Sequence, residues 1–144
     1  MTGDGAVVVD SPPLIALLLE EPAAEVVEAL LRAGGAQIST VSVAEVLDVL
    51  TRREGLPWDD VELVLAGLLS EALDAIAPDV DAAHRAADVR RRHFDRRDCR
   101  ISLADCFVVA TAQPGGRVAT GDRVLLEVAR AEGLAVVDLE VARN

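Results

Sequence analysis

The sequence predicts a three-layer α/β/α domain with a central parallel sheet, and three observations carry that prediction. Short apolar runs recur along the chain, at AVVV (6–9), RVAT (117–120) and LAVVDL (134–139). Segments with helical periodicity separate them. The whole chain has 144 residues, which suits one compact domain over 1–144 with a single core.

Each element has a local reason. AVVV is an unbroken apolar run, the pattern of a strand covered on both faces inside a parallel sheet. Asp10 then stands where it can cap a helix, and Pro12-Pro13 fit that helix's first turn. Val26, Val27, Leu30 and Leu31 put one apolar stripe on a helix over 22–33, which Gly34-Gly35 stops. QIS (37–39) reads as the second strand and 42–54 as the helix after it. Over 57–73, Val61, Val64, Leu65, Leu68 and Leu69 repeat the helical spacing behind the initiator Pro57. AIA (75–77) is a third strand, followed by helices over 79–97 and 102–113. RVAT, a helix over 122–132 and LAVVDL close the chain. Strands alternating with helices imply right-handed crossovers and hence a parallel sheet.

Composition removes several function classes. Hydrophobic residues make up 51%, yet the longest apolar run, Leu14–Leu19, is far too short to cross a bilayer. The start, MTGDGA, lacks the basic residues and cleavage site of a signal peptide, so a cytoplasmic protein is expected. Cys99 and Cys106 have no zinc-like spacing and read as inert thiols. A net charge of −11 argues against general nucleic-acid coating, which depends on neutralising phosphates. The fourteen basic residues are all arginine. Half of them, Arg85, Arg90, Arg91, Arg92, Arg96, Arg97 and Arg100, crowd into one stretch.

With 25 Asp and Glu, choosing among acids needs a rule. In open α/β sheets, ligands gather at the carboxyl ends of the strands. Asp10, Glu45, Asp105 and Asp122 meet that rule with apolar segments on either side. Each also has a plain structural reading. Ser42-x-x-Glu45 and Ser102-x-x-Asp105 match capping boxes, and Asp10 and Asp122 can cap their own helices. Asp59, Asp60, Asp79, Asp81 and Asp138 read simply as solvated caps and ends. Taken together, the four selected acids should converge. Two like charges ~4 Å apart repel by about 4 kcal/mol at an effective dielectric near 20. Capping alone gives no reason for that repulsion, whereas a hard divalent cation such as Mg²⁺ or Mn²⁺ needs such oxygens.

VVVDSPPLIALL, SVAEVL, SLADCFVVATA and TGDRVLLEVA, in that order, resemble the PIN-domain ribonucleases, most closely the VapC toxins of bacterial toxin–antitoxin pairs. The resemblance covers nearly the whole chain. It implies a Mg²⁺- or Mn²⁺-dependent endoribonuclease in which Asp10, Glu45, Asp105 and Asp122 form the metal site. Asp10 and Asp105 would be central ligands, Glu45 a ligand or water-positioning group, and Asp122 an outer or second-metal ligand. Ser11 and Thr120 match positions where the family keeps a supporting hydroxyl. The resemblance also implies an RNA substrate, a cognate antitoxin and a homodimer. The apolar helices 22–33 and 57–73 are candidate contact faces, or else simply complete the core. Pro12-Pro13 departs from the family pattern, which favours small or hydroxyl residues there.

The arginine stretch has two readings. It is a solvated helix face paired with Asp88, Asp95 and Asp98, or a phosphate clamp in which Arg92, Arg96, Arg97 and Arg100 contact RNA. His84 and His93 read as surface residues, and Trp58 and Phe94 are too few for a stacking platform. The absence of lysine excludes a P-loop NTPase and weighs against receiver domains. A phosphatase of the haloacid-dehalogenase type would want an acid at Pro12 as well as a lysine. A PIN-like scaffold that binds RNA or protein without cutting is the remaining alternative.

Overall fold

Five parallel strands form one sheet, in the order β3-β2-β1-β4-β5. The computed structural model describes residues 6–140; the first five residues, which carry most of the stretch read for a signal peptide, and 141–144 lie outside the described residues. In chain order the elements are β1 (Val7–Val9), α1 (Ser11–Leu18), α2 (Ala24–Arg32), β2 (Ala36–Ser39) and α3 (Thr40–Asp48). They continue with α4 (Trp58–Glu71), β3 (Asp74–Ile76), α5 (Val80–His93), α6 (Leu103–Ala112), β4 (Arg117–Thr120), α7 (Arg123–Ala131) and β5 (Ala135–Asp138). The expected α/β/α architecture is therefore present.

β1 lies at the centre, hydrogen-bonded to β2 on one side and β4 on the other. Its alternating side chains separate the two cores. Val8 packs with Ala86 and Val89 of α5, Val109 of α6 and Leu125 of α7. Val7 and Val9 pack with Leu14 of α1, Val27 of α2, Val46 of α3 and Val61 of α4. A strand buried on both faces accounts for the unbroken valine run.

Local chemistry sets the helix ends, and three expectations need adjusting. Pro12 and Pro13 do sit in the first turn of α1, behind the cap Asp10. Gly34 and Gly35 follow α2 with φ of 85° and 79°, a region where a side chain would be strained. The helix after β2, however, begins at Thr40: Ser39 is its cap, accepting from the Val41 amide at 3.2 Å. Ser42 thus lies inside the helix and does not cap it. That helix also does not run evenly to residue 54, since Val49–Arg53 widen into a π-helical turn. Finally, α5 ends at His93 because the Asp95 carboxylate captures the amides of Arg97 (2.8 Å) and Asp98 (2.9 Å), bending the chain into a turn.

Candidate functional site

The carboxyl ends of β1, β2 and β4 lie side by side, and each delivers its next residues to one edge of the sheet. Asp10 follows β1 and is 2% exposed. One carboxylate oxygen, Oδ1, accepts from the Ser11 amide at 2.9 Å, and Oδ2 accepts from the Thr120 hydroxyl at 2.7 Å. Thr120 ends β4 and is fully buried; its Oγ1 also accepts the Asp122 amide at 3.1 Å. One hydroxyl thereby joins the first and fourth acids. Asp122 in turn caps α7, accepting from Val124 (2.8 Å) and Leu125 (3.2 Å).

Glu45 reaches the same edge from the second turn of α3, where Ser11 Oγ donates to its Oε1 at 3.1 Å. Asp105 arrives on the first turn of α6, whose cap Ser102 accepts the Asp105 amide at 3.0 Å. The structural and functional readings of these acids are therefore not exclusive. Asp10 and Asp122 cap helices, Asp105 lies in a capped first turn, and all three gather with Glu45.

Electrostatics shows the gathering. Burial raises the Asp105 carboxyl to about 7, with further upward pushes from Asp10, Asp122 and Glu45. Burial likewise raises Asp10 to about 6, opposed by its bonds from Thr120 and Ser11 and reinforced by Glu45 and Asp122. A positive charge beside such groups would lower both values and favour their ionised forms. Oxygen-only donors of this kind suit Mg²⁺ or Mn²⁺, and a carboxylate retains acceptor capacity beyond one bond per oxygen. Among the described residues, no three acidic, histidine or cysteine side chains are placed so that they could hold one metal ion as they stand. The acids share an edge and one another's fields, and the hydroxyls of Ser11 and Thr120 orient two of them.

The arginine stretch goes elsewhere. Arg92 grips Glu132 with two bonds, 2.7 and 2.9 Å, and Asp88 with a third at 2.9 Å. His93 Nε2 lies 2.6 Å from the same Glu132 carboxylate, and Gln113 donates to it at 3.1 Å. Glu132 follows the last turn of α7 and Gln113 the last turn of α6. Arg92 is thus held at the helix C-termini, whereas Asp105 and Asp122 stand at the N-termini. The nine residues of α7 lie between Asp122 and Glu132, a separation of ten positions or about 15 Å at the α-helical rise. Arg85 and Arg90 donate to the carbonyls of Ala110 and Ile101, and Arg91 pairs with Asp88. Arg96, Arg97 and Arg100 are exposed, with no carboxylate partner among the described residues.

Glu132 and its anchoring role escaped the sequence reading, because a lone acid at the end of an amphipathic helix looks like any solvated one. His93 is half-buried rather than a free surface residue. His84 is exposed as expected, and Asp79 caps α5 through the Ala82 amide at 2.8 Å.

Comparison with known proteins agrees with the fold. A family model described as PIN domain matches residues 7–131, from β1 to the end of α7 with all four acids inside the match. No curated protein matches the chain. Among solved structures it is similar to FitAcB from Neisseria gonorrhoeae, with 23% identity and TM-score 0.63 over 93% of this chain and 98% of that one. DNA-bound VapBC from Salmonella typhimurium aligns at 18% identity and TM-score 0.69, again over 93% and 98%. A toxin–antitoxin complex from Klebsiella pneumoniae aligns at 20% identity and TM-score 0.60, over 81% and 87%. At such identities these structures share the fold. The family match carries further, since it spans most of the sequence, and by it the chain belongs to the PIN domain family.

Proposed function

We propose that this protein is a metal-dependent endoribonuclease and the toxin of a type II toxin–antitoxin pair. PIN domains are typically nucleases. The observation that carries the reading is the convergence of Asp10, Glu45, Asp105 and Asp122, with Asp105 held near 7 by burial and by the other three. Asp10 and Asp105 would hold Mg²⁺ or Mn²⁺, with Glu45 and Asp122 completing the set. When bound, such an ion supplies a water of lowered pKa and charge stabilisation at the attacked phosphoryl group. The chain's own work is orientation: Thr120 fixes Asp10, Ser11 fixes Glu45, and the capped turn of α6 presents Asp105.

Among the arginines, Arg96, Arg97 and Arg100 remain available for RNA phosphates, whereas Arg92 serves Glu132 first. The solved relatives named as toxin–antitoxin and VapBC complexes support an antitoxin partner, and a net charge of −11 favours a basic one. Leu63 and Val64, 75% and 52% exposed on α4, suit a homodimer or partner contact. No helix among the described residues is long and apolar enough to cross a membrane, in keeping with a cytoplasmic role.

The non-cutting scaffold remains the rival. Purified protein incubated with Mn²⁺ should degrade single-stranded RNA, and Asp10→Asn should stop it. Cleavage unaffected by that substitution would remove the metal-site assignment, and no cleavage by the unaltered chain would favour the scaffold.

A further inference from the structure

The hydroxyls around the acidic edge are nearly all engaged. Thr120 donates to Asp10, Ser11 donates to Glu45, Ser102 accepts the Asp105 amide and Ser39 accepts the Val41 amide. Ser42 is the exception. It is fully buried, and its Oγ is the one buried side-chain polar atom without a hydrogen-bond partner among the described residues. A serine inside a helix can usually satisfy itself by donating to the carbonyl one turn back, as Thr51 does to Leu47 at 2.6 Å. Ser42 makes no such bond. Burying an unpaired hydroxyl is unfavourable, and alanine would fill the position without that burden.

Its place in the fold is specific. Ser42 lies three residues before Glu45, so the two are neighbours along one side of α3. Both stand near the helix end that meets the carboxyl edge of the sheet. α3 packs against α1, which begins at Ser11, and against α6, whose first turn carries Asp105. α3 thus stands among the helices that present three of the four acids, and Ser42 is fully buried on it.

We propose that Ser42 is a positioning residue for the loaded centre, its hydroxyl bonding to one of the neighbouring acids once a divalent cation is held. The inference rests on the metal-site reading above and adds a residue to it. In the cation-free protein Ser42 contributes nothing through hydrogen bonding; its effect is on affinity for the ion.

The test uses the full chain, stripped with EDTA and titrated with Mn²⁺ by calorimetry, alongside thermal melts without metal. Ser42→Ala should melt at or above the temperature of the unaltered protein, yet bind Mn²⁺ about tenfold more weakly, the scale on which supporting partners act. Ser42→Thr, which restores the hydroxyl, should recover most of that affinity. Unchanged Mn²⁺ affinity in Ser42→Ala, with affinity lost in Asp10→Asn, overturns the role of Ser42 and leaves the metal site standing. A lower metal-free melting temperature in Ser42→Ala also overturns it, by revealing a partner in the resting fold. If the unaltered chain binds no Mn²⁺, both readings fall together.

Discussion

Two buried or half-buried carboxylate sites in this molecule are built in opposite ways. At the junction of α5, α6 and α7, Glu132 receives Arg92, His93 and Gln113, and its carboxyl is lowered to about 2, chiefly by the Arg92 bonds. At the sheet edge, Asp10 and Asp105 have only hydroxyls, amides and other acids as polar partners among the described residues, and burial raises them to about 6 and about 7. The first arrangement stabilises the fold. The second strains it, which is the pattern that the proposed metal site would account for. A single −11 chain thus holds one acid among cationic and amide donors and gathers others among acids.

Activity should separate the two sites most sharply. Asp105→Asn should lower Mn²⁺-dependent RNA cleavage by more than about 100-fold, beyond what losing a supporting partner costs. Glu132→Gln should leave the rate per folded molecule close to that of the unaltered chain. Comparable losses in both variants would erase the distinction.

Stability should then move in opposite directions. Glu132→Gln removes a carboxylate lowered from 4.5 to about 2, although Arg92 is 40% exposed and solvent screens part of the effect. A loss of about 2 kcal/mol in denaturant unfolding is expected. Asp105→Asn, measured in EDTA, should instead gain about 1 kcal/mol by removing a buried charge near like charges.

The pH profile of the metal-free protein carries both signs. Glu132 has a folded pKa below its ordinary 4.5, so its contribution is present above 4.5 and is lost as pH falls towards 2. Asp10 and Asp105 have folded pKa values above their ordinary 3.8. The folded chain then holds protons that the unfolded chain has released, so stability declines as pH rises from 3.8 through about 6 and 7. These groups together place maximum stability at mildly acid pH. Glu132→Gln should flatten the acid limb and Asp105→Asn the neutral one; a profile still rising through pH 7 in EDTA would contradict the account of the edge.

The smallest effect belongs to the exposed turn. Replacing Arg96, Arg97 and Arg100 together by alanine should change stability by no more than about 0.5 kcal/mol. RNA affinity should become less salt-dependent, by about 0.7 in log–log slope for each phosphate that an arginine no longer neutralises. An unchanged slope would show that the turn does not touch RNA.

Much of the site was legible because its acids are announced by local sequence. A valine strand ending in Asp10, a serine three residues before Asp105 and a strand running into Thr120-Gly121-Asp122 each declare a strand end or helix start. Where two signals competed, locality failed. Ser39 and Ser42 both resemble caps, and only the length of β2, set by pairing through Ser39 with Ile76 of β3, selects Ser39. Arg92 has a partner that local sequence does not announce, for a related reason. It precedes Asp105 by thirteen positions in sequence, but its guanidinium is taken by Glu132 at the other end of α7.

The sequence by itself determined the alternation of strands and helices, the parallel sheet, and the four acids that its strand ends and helix starts put forward. Those follow from periodicity and capping, which act over a few residues. Only the tertiary structure decided that Thr120 would join Asp10 to Asp122, that Ser11 would hold Glu45, that Ser42 would be left unpaired, and that Arg92 would serve a half-buried glutamate. Those partners lie far apart in the chain, and hydrogen bonds of about 3 Å between them exist only once the sheet order has set which ends are neighbours.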